Sequence, residues 1–250
     1  MVRLSAVALS HDPELGLAAE AATLNARYGQ LDARDAIALT AGELFPGKAA
    51  LVSSFGADSV VLLHLVSEVD RDLPVIFLDT GRLFAETLEY RSRLTDLLGL
   101  TDVRTVSPDP ARLADADPHR ALWMTNPDLC CHVRKTEPLQ RALKGFDAWL
   151  TGRKRFQNAQ RAALSLFEAE GGRIKVNPLA NWSIVDLKAH AERHGLPEHP
   201  LVAKGYPSIG CVPCTSRVAI GEDQRAGRWR GLDKTECGIH VPAEADGSGI

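Results

Sequence analysis

No stretch of this sequence is apolar for long enough to cross a bilayer. The longest apolar runs, such as Ser59 to Val66, fall far short of the ~20 residues a membrane-spanning helix needs. The first ten residues carry one charge and then a weak apolar stretch that stops at His11 and Asp12, which makes a poor signal peptide. A surplus of positive charge is missing too. Lys plus Arg total 29 against 32 Asp plus Glu, a net charge of −3. A general nucleic-acid binder shows a strong basic excess, so nucleic acid is not an expected partner and any anion site must be local. No internal repeat or low-complexity linker divides the chain. Cysteine is scarce: five in 250 residues, none in the first half. That is no secreted disulfide scaffold, and without an export signal the expected compartment is the reducing cytoplasm. There, clustered thiols more often bind metal or do chemistry than form bridges.

What is present is ordinary globular composition, 45% hydrophobic and 24% charged. Residues 13–45 read as two helices, the second capped by Asp32. Apolar strands are expected at 49–54, 74–78, 103–106 and 146–151. Helices are expected at 60–69, 83–98 and 129–143, the last broken near Pro138. Residues 164–176 read as two short strands turning at Gly171 and Gly172. Ser183 opens a capping box for a helix ending near Gly195. Strands alternating with helices predict an α/β fold with a doubly wound, mostly parallel sheet. The expected organisation is one domain over 1–240. It has a helical N-terminal part (1–46), an α/β core (47–200) and an irregular Gly-, Pro- and Arg-rich segment (201–240), followed by a disordered tail (241–250).

The cysteines divide by position. Cys130 and Cys131 are adjacent, Cys211 and Cys214 form a C-x-x-C, and Cys237 stands alone. Two pairs suit a four-thiolate site, either zinc or an iron–sulfur cluster. Adjacent helical residues point ~100° apart, which suits a cubane better than a single zinc ion. Small buried core residues, or a dithiol redox pair at Cys211 and Cys214, are the blander alternatives.

Three segments carry anion-site signals. Ser53, Ser54, Phe55, Gly56, Ala57, Asp58 and Ser59 lie between a strand and a helix, where free N–H groups favour phosphate or sulfate. The G-K-[ST] ending of a Walker A loop is absent. Gly152 to Arg161 is a basic run beginning at a strand's carboxyl end. Arg217, Arg225, Arg228 and Arg230 form an arginine cluster suited to bidentate anion binding.

Together these segments resemble the sulfonucleotide reductases, the adenylylsulfate (APS) and phosphoadenylylsulfate (PAPS) reductases of sulfate assimilation, from about residue 48 to His240. Residues 53–59 resemble the family's modified PP-loop. Residues 78–87, from Leu78, resemble its nucleotide-side strand end. Cys130 to Lys135 and Cys211 to Cys214 resemble the two halves of its 4Fe-4S ligand set. Gly152 to Gln157 with Arg161 resembles its basic motif. Lys234 to His240 resembles its E-C-G-L-H tail, with Ile239 in place of Leu. The resemblance implies an adenine nucleotide α-hydrolase-like fold. It also implies one 4Fe-4S cluster on Cys130, Cys131, Cys211 and Cys214, and Cys237 as the nucleophile, the cysteine outside the two pairs. Substrate contacts are implied at Ser53, Ser54, Gly56, Asp58, Ser59, Leu78, Lys135, Gly152, Arg161, Arg225, Arg228 and His240. The cluster cysteines generally accompany APS as substrate, with thioredoxin as reductant and a Cys S-sulfonate as intermediate. Self-association into a homo-oligomer is compatible with the sequence.

Three rivals remain at this stage. One is a PAPS reductase with a cluster. Another is an ATP-using PP-loop enzyme, whose loop usually reads S-G-G-x-D-S where this chain has Phe55 and Ala57. The third is a zinc-ribbon-like binding module, disfavoured by the acidic net charge.

Overall fold

The computed structural model describes residues 13–232 and 234–240. The signal-peptide reading of residues 1–10 and the disordered tail expected over 241–250 lie outside the described residues. The chain begins with α1 (Pro13–Tyr28) and α2 (Ala33–Leu39), and α2 widens into a π turn over Thr40–Leu44. The Asp32 side chain caps α2 by accepting from the Asp35 N–H. Then come β1 (Ala49–Val52), α3 (Ser59–Val69), β2 (Val75–Leu78), α4 (Ala85–Leu98) and β3 (Val103–Val106). Three short helices follow, α5 (Pro110–Ala116), α6 (Leu122–Thr125) and α7 (Pro127–Cys131), then α8 (Glu137–Ala142) and β4 (Ala148–Thr151). The chain closes with β5 (Phe167–Glu170), β6 (Arg173–Val176) and α9 (Ile184–Arg193), with 3-10 turns at Val212–Cys214 and Gly238–His240.

The strands form one six-stranded sheet in the order β3-β2-β1-β4-β6-β5. All neighbours are parallel except β5, which runs antiparallel to β6. Parallel strands covered on both faces read as unbroken apolar runs, which is why Ala49–Val52 and Val75–Leu78 carry no alternating polar residues. Alternate side chains still go to opposite faces. Ala49 and Leu51 join the large core with Ile37, Leu63 and Leu94, while Ala50 packs with Ile76, Leu139, Leu143 and Trp149. The β5 edge is covered by Asn25 of α1, whose Oδ1 accepts from the Phe167 N–H (3.0 Å) and whose Nδ2 donates to the Phe167 carbonyl (2.7 Å).

The sequence predicts the sheet and its strands to within a few residues, and it differs from the structure in two places. The helix expected to break near Pro138 does not break. A π turn at His132–Thr136, closed by the Glu137 N–H donating to the His132 carbonyl, joins α7 to α8, and Pro138 falls in the first turn of α8, where a missing N–H is tolerated. Helices α5 and α6 have no counterpart in the sequence reading. Helix α5 buries no residue and α6 buries only Leu122, so neither leaves a periodic apolar stripe.

Candidate active site

The chain order of β1, β2 and β4 puts a topological switch beside β1, since β2 lies on one side of it and β4 on the other. A crevice opens there at the strands' carboxyl ends. It is a cavity of about 410 Å³, and every expected substrate-contact residue and Cys237 lie along its wall. That volume suits a ligand of nucleotide size.

The loop after β1 is held by its own hydroxyls. The Gly56 N–H donates to Ser59 Oγ (2.9 Å) and the Phe55 N–H to Ser53 Oγ (3.2 Å). Phe55 takes a left-handed φ of 48°, a conformation glycine adopts freely and phenylalanine does not. Its ring is fully buried edge-on against Phe77, centroids 5.5 Å apart, and that packing holds the turn. A Cβ at Gly56 would sit 3.2 Å from Ser54 Oγ and 3.4 Å from the Ile209 carbonyl, so the backbone approaches its neighbours closely there.

The basic run after β4 is mostly neutralised. Arg153 turns away to pair with Glu168 and Asn177. Lys154, 2% exposed, donates to Asp58 Oδ2 at 3.1 Å, and burial holds its pKa below the ordinary lysine value. Arg155 donates to the Leu164 carbonyl. Arg161 is buried and its Nε lies 2.6 Å from Glu236 Oε2. Glu236 also lies 3.5 Å from Arg225 and accepts from the Cys237 N–H at 2.9 Å. Burial alone would raise the Glu236 pKa, but its bond to Arg161 and the charges of Arg161 and Arg225 bring it below the ordinary value.

Of the late arginines, Arg225 and Arg228 line the cavity. Arg217 lies over Tyr206 and Arg230 pairs with Glu222, so the expected cluster of four is divided. Arg228 stacks over Trp229 at 4.4 Å and donates to the Ile209 carbonyl at 3.4 Å. Among the described residues, Lys135 and Arg228 are the lining cations that form no ion pair. Both flank Cys237. Lys135 Nζ donates to Cys237 Sγ at 3.5 Å. A hydrogen bond from the Cys131 thiol, then the Lys135 and Arg228 charges, lower the Cys237 pKa well below the usual thiol value, with burial opposing. The same bond raises that of Cys131. Nearby thiolate charges keep Lys135 protonated against its burial. The His240 ring is stacked with Trp149 (6.2 Å, 4°) and kept neutral by burial and by the cations around it. Its Nδ1 is buried without a partner among the described residues.

The four paired cysteines come from two segments that meet behind Lys135. Burial, and behind it the neighbouring Cys211 charge, raise the pKa of both Cys130 and Cys214, which places these three thiols close together. Thr80 Oγ1 lies 3.2 Å from Cys211 Sγ. A tetrahedral zinc with ~2.3 Å bonds would draw its thiolates to within ~4 Å of one another. Among the described residues no three cysteine sulfurs lie within 4.8 Å of each other. That spacing is compatible with a group larger than a single ion, such as a cubane.

Sequence reasoning passed over Lys154, Glu236 and Trp229 as site residues. Glu236 sits inside the tail motif beside Cys237, but its partner Arg161 lies 75 residues away, and no local pattern pairs them.

Residues 48–217 match the phosphoadenosine phosphosulfate reductase domain. The chain belongs to this family. It is 55% identical over 230 residues to adenosine 5'-phosphosulfate reductase of Mesorhizobium japonicum, covering 92% of this chain and 91% of that one. It is 40% identical over 190 residues to adenosine 5'-phosphosulfate reductase 1 of Bacillus subtilis, covering 75% and 82%. The crystal structure of phosphoadenylyl-sulfate reductase from Candida auris, a phosphate complex, superposes with a TM-score of 0.66 at 28% identity over 86% of this chain and all of that one. The FMN adenylyltransferase of Candida glabrata shares the fold, with a TM-score of 0.51 at 16% identity over 79% of this chain and 70% of that one.

Proposed function

We propose that the chain is an assimilatory oxidoreductase that reduces APS to sulfite and AMP, with thioredoxin as the electron donor. The observation that carries this reading is the Cys237 thiol in the cavity wall between two unpaired cations, Lys135 and Arg228. No carboxylate among the described residues neutralises either cation, which suits a doubly anionic ligand such as APS. The 55% identity to a relative named for APS favours it over PAPS.

In the first step the Cys237 thiolate attacks the sulfuryl sulfur. The S–O bond to the phosphate breaks, AMP leaves with that oxygen, and Cys237 becomes an S-sulfonate. Only the thiolate is nucleophilic enough, and Lys135 and Arg228 lie where charge builds on the sulfonate and phosphate oxygens. Arg225 and Arg161 steady the tail through Glu236. Neutral His240 offers an unpaired Nδ1 to the bound nucleotide. In the second step a thioredoxin thiolate attacks Cys237 Sγ, sulfite leaves with the bonding electron pair, and the second thioredoxin thiol resolves the mixed disulfide. Two electrons pass from the dithiol to sulfur. The ATP-using reading loses support at the loop, where Phe55 fills the place of a glycine.

Cys130, Cys131, Cys211 and Cys214 would hold one 4Fe-4S cluster. When bound it supplies a fixed charge beside Lys135 and a covalent tie between two segments. Ligation takes the Cys131 proton, so Lys135 and Arg228 are then the groups that hold the Cys237 thiolate. Free thiols in this number suit a reducing cytoplasm. No described helix is long and apolar enough to cross a membrane.

The test is wild type against Cys237→Ser, each incubated with APS. Wild type is expected to gain a sulfonate on Cys237 by mass spectrometry and to release it as sulfite only when reduced thioredoxin is added. Sulfite release by the variant sinks the assignment. A ratio of kcat/KM for APS over PAPS below one would transfer the reading to PAPS.

A further inference from the structure

Helices α3 and α9 both start at the cavity, where Ser59 and Ile184 line the wall. Away from it they bring together four side chains that APS reduction does not use. His64 and Glu68 lie on α3, and His190 and His194 lie at the end of α9. Each pair is spaced four residues apart, the spacing that puts two side chains on one helical face. His64, Glu68 and His194 offer ligand atoms that all lie within 4.8 Å of one another. His64 Nδ1 is 3.7 Å from Glu68 Oε2, and the His64 and His194 rings are 4.5 Å apart. Behind them sits His190, 9% exposed, with Nε2 3.2 Å from His64 Nδ1 and its ring edge-on to Trp182 at 5.5 Å.

Three imidazoles packed ring to ring beside a carboxylate form a nitrogen-rich donor set at a helix–helix contact. We propose that His64, Glu68 and His194 bind a divalent cation of the zinc class. Two imidazoles and one carboxylate, with water in the fourth place, are a zinc ligand set at bond lengths of ~2.0–2.2 Å. Magnesium and calcium prefer all-oxygen sites, and nitrogen ligands favour zinc, nickel or copper. The ligands come from both helices, so the bound ion would clamp α9 to α3, and with them the two sides of the cavity wall that they start. This site uses none of the five cysteines and does not depend on the reading of the cavity.

The test compares anaerobically purified wild type with His64→Gln, Glu68→Gln and His194→Gln. Each is equilibrated with micromolar Zn²⁺ and then dialysed into metal-free buffer. Wild type is expected to keep one more zinc per chain than either histidine variant, and to show a saturable, zinc-dependent rise in Tm that both variants lack. Zinc taken up by thiols is common to all four proteins and cancels in the difference. Glu68 and His194 are exposed, so replacing either leaves the fold intact even if the His64 variant misfolds. Glu68→Gln is expected to weaken zinc retention at least tenfold. Equal zinc in wild type and His194→Gln, or a zinc-dependent rise in Tm that survives the substitution, overturns the proposal.

Discussion

The cavity has two walls built on different physics. One is made by the ends of β1, β2 and β4 and the loop after β1. It stands on a continuous apolar core, and its turn is fixed by Phe55 packed on Phe77. Among the described residues, the other wall, 206–240, contains two single-turn 3-10 elements and one isolated bridge, Thr215 to Arg228. It is held by buried ion pairs on Glu236, a stacked Arg228 and Trp229, and thiols. The first wall rests on close-packed side chains, which resist displacement and suit the positioning of a ligand. The second carries Cys237, the proposed nucleophile, and a wall held by a few polar ties suits the opening and closing that the proposed two-step reaction needs.

The sharpest way to break this contrast is Glu236→Ala. Glu236 is 6% exposed and gathers Arg161, Arg225 and the Cys237 N–H. Removing one partner of a buried pair leaves the other charge unpaired, at about 3–5 kcal/mol. The expected result is a Tm lower by ~10 °C, with turnover of APS reduced at least tenfold. The pH dependence has a fixed sign. The Glu236 pKa is lower folded than unfolded, so its contribution is full above the ordinary glutamate value of ~4.3 and is lost as pH falls through the lowered folded value. The Tm gap between wild type and Glu236→Gln should therefore be constant near neutrality and narrow only in acid. A gap that already closes between pH 8 and 6 would mean that Glu236 does not hold this wall.

The opposite wall is probed by Phe55→Gly. Losing a buried phenylalanine costs about 3–5 kcal/mol, and relief of the left-handed backbone returns about 1–2 kcal/mol. Thermal melts should show a net loss of about 1–4 kcal/mol. Because glycine adopts the same φ, the loop keeps its shape and KM for APS should change less than about threefold. A large rise in KM would show that this wall, too, is held locally.

Legibility in the sequence follows the same division. The sheet could be read because buried parallel strands leave unbroken apolar runs, and because Asp32 and Ser183 announce their helices. The contacts that hold the second wall could not. Arg161 and Glu236 are 75 residues apart, as are few local signals, and Lys154 finds Asp58 across 96. A run of four basic residues looked like an open anion site, yet Arg153 and Lys154 spend their charge on carboxylates and Arg155 on a carbonyl. Only folded geometry separates Lys135 and Arg228, which among the described residues pair with no carboxylate and lie near Cys237.

Arg228 offers a finer cut within the second wall. Gly210 packs so closely on it that an added Cβ would sit 2.4 Å from Nη2 and 2.7 Å from Cζ. Gly210→Ala should push the guanidinium off its place over Trp229 while leaving the fold within about 1 kcal/mol of wild type. Loss of one charged hydrogen bond to substrate is worth about 1.5–3 kcal/mol, so kcat/KM for APS should fall roughly 10–100-fold. Unchanged kinetics would remove Arg228 from the substrate.

The smallest expected effect lies under the junction of the two walls, at Lys175. It is fully buried on β6, its Nζ 2.5 Å from Glu170 Oε1 and 4.6 Å above the Trp149 ring, whose stacking partner is His240. Burial brings its pKa down to about 8. A lysine whose pKa is lower folded than unfolded destabilises the fold wherever it is charged. That penalty is full below about pH 8 and disappears above the ordinary value of ~10.4. Lys175→Met keeps the length and removes the charge, and it leaves Glu170 to water. At pH 7 its Tm should match or exceed wild type by a few degrees, and the advantage should shrink between pH 8 and 10. A variant that is less stable at pH 7 by more than ~2 kcal/mol would mean that the Lys175–Glu170 pair outweighs its desolvation, and that the first wall also relies on an ion pair.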